Sequence, residues 1–163
     1  MKKLLMLFLI LLFGCSMFFA SPGITVKDVN LVGLDGGGAT IEFYLVVKNP
    51  NSFDMKLLGY SYDLKIMALP LAKGGSRDAL TFIAGSTTEI RLPVHIAYGD
   101  LLEILKRRPD PDQIPYDLQT GFEVDTPMGI RAVPFVAKGT YAIPEKYRPA
   151  LYLQQLKELF QQQ

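Results

Sequence analysis

Between residues 24 and 143 apolar and polar side chains alternate almost one for one, the period of a strand with one face in a core. Ile41, Phe43, Leu45 and Val47 fall on one side, with Glu42, Tyr44 and Lys48 on the other. Tyr60, Tyr62, Leu64 and Ile66 are opposed by Ser61, Asp63 and Lys65. The clearest row is Ile90, Leu92, Val94, Ile96 and Tyr98, opposed by Glu89, Arg91 and His95. Tyr116, Leu118, Phe122 and Val124 make a further row, and a last strand over 130–143 carries Val133, Phe135, Ala137 and Tyr141 in register. This pattern predicts that Leu92 is buried and Arg91 exposed.

Turn chemistry separates the rows. Asp35-Gly36-Gly37-Gly38 reads as a tight hairpin, and Thr126-Pro127-Met128-Gly129 as a second. Lys73-Gly74-Gly75 and Ala84-Gly85-Ser86 read as breaks in the middle of the chain. Six or seven strands at this spacing, mostly without helices between them, predict an all-β fold, an antiparallel β-sandwich. Two helical pieces interrupt it. Asp100 followed by Glu103 has the form of a capping box, Leu101, Leu102 and Leu105 supply an apolar face, and Lys106-Arg107-Arg108 before Pro109 suits a C-terminal end. After Pro149, Tyr152, Leu156, Leu159 and Phe160 recur at helical spacing, an amphipathic tail expected to dock on its own sandwich.

The N-terminus follows a different logic. Lys2-Lys3 precede an unbroken apolar run from Leu4 to Phe13, then Gly14 and Cys15, the only cysteine. A positive start, a short apolar segment and a small residue before a cysteine read as a bacterial lipoprotein signal over 1–14, with Cys15 acylated (palmitate among the acyl chains) and residues 15–23 a tether. Each buried methylene of such a chain contributes roughly 0.8 kcal/mol, so several chains anchor firmly. Cleavage after Ala20 would leave bulky Phe18 where a small residue is wanted, and an uncleaved membrane span over 4–20 would be short. The expected location is the bacterial cell envelope, facing the periplasm and held in the outer membrane.

Composition narrows the function classes. The chain has 163 residues, room for one domain with a real core, here 24–143, followed by the tail over 144–163. Lys and Arg total 17 against 16 Asp and Glu, and two of the cations leave with the signal. That balance excludes a nucleic-acid partner, which requires a basic surplus. Acylation of Cys15 would leave no thiol, so stability must come from packing rather than disulfides.

Asn49-Pro50-Asn51 closes the strand that begins at Ile41. Alone it is an ordinary strand exit, in which Pro removes a donor and Asn tolerates turn geometry. In the run Val46-Val47-Lys48-Asn49-Pro50-Asn51-Ser52-Phe53, followed by Leu57-Leu58-Gly59, Ile90-Arg91-Leu92-Pro93-Val94 and Tyr98-Gly99-Asp100-Leu101-Leu102, it resembles the late-embryogenesis-abundant type 2 family, the water stress and hypersensitive response domain. The resemblance covers roughly residues 25–141. It implies a folded sandwich resembling fibronectin type III or immunoglobulin domains, a desiccation or water-stress role, and no general catalytic residues. Bacterial members resembling this chain are often envelope lipoproteins.

Other candidate chemistry is thin. His95, the only histidine, shares its strand face with Arg91, Pro93 and Ala97 and reads as a surface residue without a nucleophile or orienting partner. Asp110 and Asp112 could hold Ca²⁺ loosely but read more simply as a Pro-stiffened turn, so no metal and no cofactor are expected. Gly36-Gly37-Gly38 leads into a strand, not a helix, which argues against a phosphate cradle. Tyr60 and Tyr62 could flank a ligand but read as core. The expectation is a non-catalytic, stress-protective protein held to a membrane by its lipid anchor. The alternative is a binding module for a lipid, peptide or envelope protein, using edge strands, the 109–115 loop or the tail.

Overall fold

The computed structural model describes residues 19–77 and 79–148. Cys15 and the tail from residue 149 onward, read as helical, lie outside them. The strands are β1 (Gly23–Asp35), β2 (Gly38–Lys48), β3 (Met55–Ile66), β4 (Leu69–Ser76), β5 (Leu80–Phe82), β6 (Thr87–Ala97), β7 (Ile114–Thr126) and β8 (Gly129–Tyr141), with helix α1 (Tyr98–Lys106) between β6 and β7. A single 3₁₀ turn, Glu145–Tyr147, follows β8. All pairings are antiparallel. One sheet has the order β1-β2-β6; the other has β4-β3-β7-β8, with β5 pairing the first residues of β3. The chain is an all-β sandwich, as its alternation predicted.

The period-two rows are the glue between the sheets. Phe43, Leu45 and Leu92 from the first sheet and Leu64, Leu118 and Phe122 from the second are each at most 2% exposed. Burying one such side chain stabilises by about 1.5–3 kcal/mol. Leu92 lies in this core and Arg91 faces solvent. The rings of Phe43 and Tyr116 meet edge to face across the sheets, with centroids 5.4 Å apart. Outside, Lys73 pairs with Asp63 and Lys138 with Asp117 across neighbouring strands.

Three local readings need correction. Lys73-Gly74-Gly75 is no break: it lies inside β4, paired with Asp63, Tyr62 and Ser61. A Cβ on Gly74 would stand 2.5 Å from the Tyr62 hydroxyl, so the glycine makes room for a ring lying over it. The same device recurs on the far side of the sheet, where a Cβ on Gly139 would lie 2.7 Å from the hydroxyl of Tyr116, its cross-strand partner.

Second, Asp100 does not cap α1. The cap is Ala97, without a side-chain bond, and β6 passes straight into the helix. The N–H of Tyr98 donates instead to the Gly37 carbonyl at 3.1 Å, so the β1–β2 hairpin supplies the cap. Asp100 stays in the first turn, where its charge suits the helix dipole. Third, Tyr98 begins the helix rather than ending the buried row, and is 52% exposed. The residue that α1 buries is Ile104, while Leu102 and Leu105 remain about half exposed.

Candidate functional site

The sandwich has two unlike ends. β2 runs from the β1–β2 hairpin to Asn49, and β6 returns beside it. Its 11 residues separate the ends by about 35 Å.

At one end sits the Asn-Pro-Asn turn. Pro50 stops the ladder and faces solvent, whereas Asn49 and Asn51 are 0% and 5% exposed. The Asn49 amide donates to the carbonyls of Phe53 (2.9 Å) and Phe82 (3.0 Å). Its oxygen accepts from the backbone N–H of Asn51 and from the Asn51 amide, both at 3.0 Å. All four hydrogen-bonding positions of this side chain are therefore used. Asn51 carries the chain of bonds outward. Its amide donates to the Ala20 carbonyl and its oxygen accepts from the Ala20 N–H, each at 2.8 Å. The backbone completes the knot, with Asn49 N–H on the Ser86 carbonyl and Gly85 N–H on the Asn51 carbonyl. One turn thus ties β2, β3, β5, the β5–β6 turn and the incoming N-terminal segment. Its chemistry is structural, since the side-chain amides of Asn49 and Asn51 are spent on the protein itself.

At the other end, beneath α1, lies a cavity of about 310 Å³. Ala39, Ile41 and Phe43 of β2 and Ile96 of β6 form one wall. Ile66, Ile114 and Tyr116 from the second sheet form the other, and Ile104 of α1 covers it. Leu34, Tyr98, Leu102 and Leu105 stand at the rim, each 47–56% exposed. Among the described residues no Asp, Glu, Lys or Arg side chain lines it. Tyr116 and Tyr141 are among its lining residues. Tyr141 accepts the Leu31 N–H at 3.1 Å, bridging β8 to the outer edge of β1. Burial raises both phenol pKa values, in Tyr141 partly offset by that bond. A wider cleft of about 710 Å³ between β1 and β8 is a surface trough with lysine and threonine in its walls.

The remaining candidates fall out as structure. His95 is exposed, with Nδ1 3.5 Å from the Thr40 hydroxyl. Asp110 accepts the Asp112 N–H, and Asp112 pairs with Arg148: a turn and an ion pair. Among the described residues no group of three or more His, Cys, Asp or Glu is placed to hold a metal ion. Gly36 and Gly37 turn a hairpin around the Asp35 carboxylate. Tyr60 packs near Phe122 and Tyr62 over Gly74. The sequence reading missed the cavity. Folding alone brings its rim residues Leu34, Tyr98, Leu102 and Leu105 together, so no sequence signal marked it.

The turn and the strands that carry it are also what the chain shares with known proteins. A model of the late embryogenesis abundant protein family matches residues 44–139, which include the Asn-Pro-Asn turn, β3 and β7 of the second sheet, and α1. The desiccation-related protein At2g46140 of Arabidopsis thaliana is 29% identical over 125 residues, covering 76% of this chain and 75% of that protein. Late embryogenesis abundant protein Lea14-A of Gossypium hirsutum is 27% identical over 124 residues, 76% of this chain and 82% of that protein. The solution structure of AT1g01470 from Arabidopsis thaliana has the same fold, with a TM-score of 0.69 at 23% identity over 84% of this chain and 92% of that one. The chain belongs to the late embryogenesis abundant type 2 family.

Proposed function

We propose that this protein has a water-stress, desiccation-related role, exercised without catalysis from a lipid anchor at the bacterial envelope. The family membership carries the stress role: the named relatives are a desiccation-related protein and a late embryogenesis abundant protein. The anchor rests on Lys2-Lys3, the apolar run and Cys15. Acylation there, with the first fourteen residues removed, leaves the protein facing the periplasm from the outer membrane. The Ala20–Asn51 clamp suits such a tether, because it fixes where the N-terminal segment meets the sandwich. A non-catalytic role agrees with an exposed His95 whose near partner is a threonine hydroxyl.

Two measurements test this reading. Metabolic labelling with a fatty acid should mark the wild-type protein and leave Cys15→Ser unmarked and released from the membrane fraction. A strain lacking the protein should survive drying and osmotic shock worse than its parent. Unlabelled wild type overturns the anchor, and equal survival overturns the protective role.

A further inference from the structure

We propose that the cavity beneath α1 is a binding site for one aliphatic chain of an anionic amphiphile, a free fatty acid, taken up from solution with its carboxylate beside Arg107. The inference rests on the cavity, and only its choice of a free acid over a membrane lipid rests on the proposed anchor at the N-terminal side. Protein interiors pack to crystal-like density, so a hole of about 310 Å³ is a site held open rather than ordinary core. Apolar holes of about half that size stay dry and take up benzene. Water is a poor tenant here, because among the described residues the walls carry no charged group.

The shape selects among apolar tenants. A helix with its side chains is about 10–12 Å across, as thick as the whole gap between packed sheets, so the chain's own tail could lie over the rim but not enter. An extended peptide would bring backbone N–H and C=O groups into walls that cannot match them. An alkyl chain has neither fault. The rim then supplies charge. Of the cations flanking lining residues, Lys106 is paired with Glu103 and Arg148 with Asp112. Arg107 instead donates to a neutral acceptor, the carbonyl of Met67, next to the lining residue Ile66, at 3.0 Å. Its charge is available to a carboxylate at the mouth. The mouth also lies at the end of β2 opposite Ala20, which points to solution rather than to a bilayer at the N-terminal side.

The test uses the full chain reconstituted in phosphatidylethanolamine–phosphatidylglycerol vesicles and a photoreactive palmitic acid added from solution. Adducts should map to peptides spanning 29–43 and 96–109. Ala39→Leu, which fills the hole from its wall, should keep the circular dichroism and urea midpoint of the wild type and lower labelling about tenfold or more. Leu105→Glu, at the exposed rim, should do the same by placing a charge at the mouth, and serves should Ala39→Leu fold poorly. Cys15→Ser, assayed without vesicles, should label as the wild type does, which separates this site from the anchor. Labelling unchanged in both cavity variants, or confined to residues 1–18, overturns the proposal. So does labelling from a photoreactive phospholipid in the vesicles but not from the free acid. Labelling that appears only after residues 149–163 are removed makes the tail the occupant and likewise defeats it.

Discussion

The two ends of the sandwich solve opposite problems with the same strands. At the Asn-Pro-Asn end β2 stops inside a closed set of hydrogen bonds, and every polar atom of the Asn49 side chain has a partner. At the helix end the same strand opens onto a hole walled by apolar side chains, with leucines left half exposed around it. A buried polar knot is rigid because losing any one partner strands the others. An apolar rim is tolerant because its contacts are non-directional and each is small. The family match spans both ends, but their tolerance of change should differ sharply.

Substitutions sharpen that contrast, or break it. Asn49→Ala leaves two carbonyls and two donors unmatched in a buried site, and should cost about 3 kcal/mol or more in urea unfolding. Asn51→Ala, which frees both the Ala20 bonds and the bond to Asn49, should cost about 2 kcal/mol. It should also speed hydrogen exchange at Ala20. Leu102→Ser and Leu105→Ser at the opposite rim should each stay within about 0.5 kcal/mol. Equal losses at the two ends would contradict the comparison.

The smallest effect is one of pH. Tyr116 and Tyr141 have phenol pKa values raised by burial in the fold. A raised folded value means that the folded state holds its proton longer than the unfolded chain. Their contribution is therefore full below the unfolded phenol range of about pH 10 and is lost as pH climbs through the folded values. Ultraviolet titration should find Tyr116 and Tyr141 among the late-ionising phenols, beside Tyr44, which its hydrogen bond to Glu42 raises, and Tyr141→Phe should remove one of them.

The strand rows were legible because alternation is a strong code where one face is buried. Ile41 to Val47 and Ile90 to Ile96 needed nothing else. β1 was not legible in the same way. Two register shifts, between Val26 and Asp28 and between Leu31 and Gly33, keep Val26, Val29 and Leu31 packed against the core while breaking the simple period. Lys73-Gly74-Gly75 misled because glycine marks a turn far more often than a space beneath a tyrosine, and only the cross-strand register tells the two apart. The capping box at Asp100 misled because the bond that starts α1 comes from Gly37, about sixty residues away in sequence. The importance of Asn49 and Asn51 was legible, but as a pattern: their partners Phe82 and Ala20 are joined by folding. The cavity was hidden because a hole depends on how much two sheets and a helix fail to fill, a quantity no local pattern carries.

The paired bonds between Ala20 and Asn51 have a mechanical meaning. Tension applied through the N-terminal segment meets a side-chain amide, buried and held in turn by Asn49, before it can peel β1 from β2. The pull is thereby spread into β3 and the β5–β6 turn, so the domain should resist being dragged by its leash far better than a lone edge strand would.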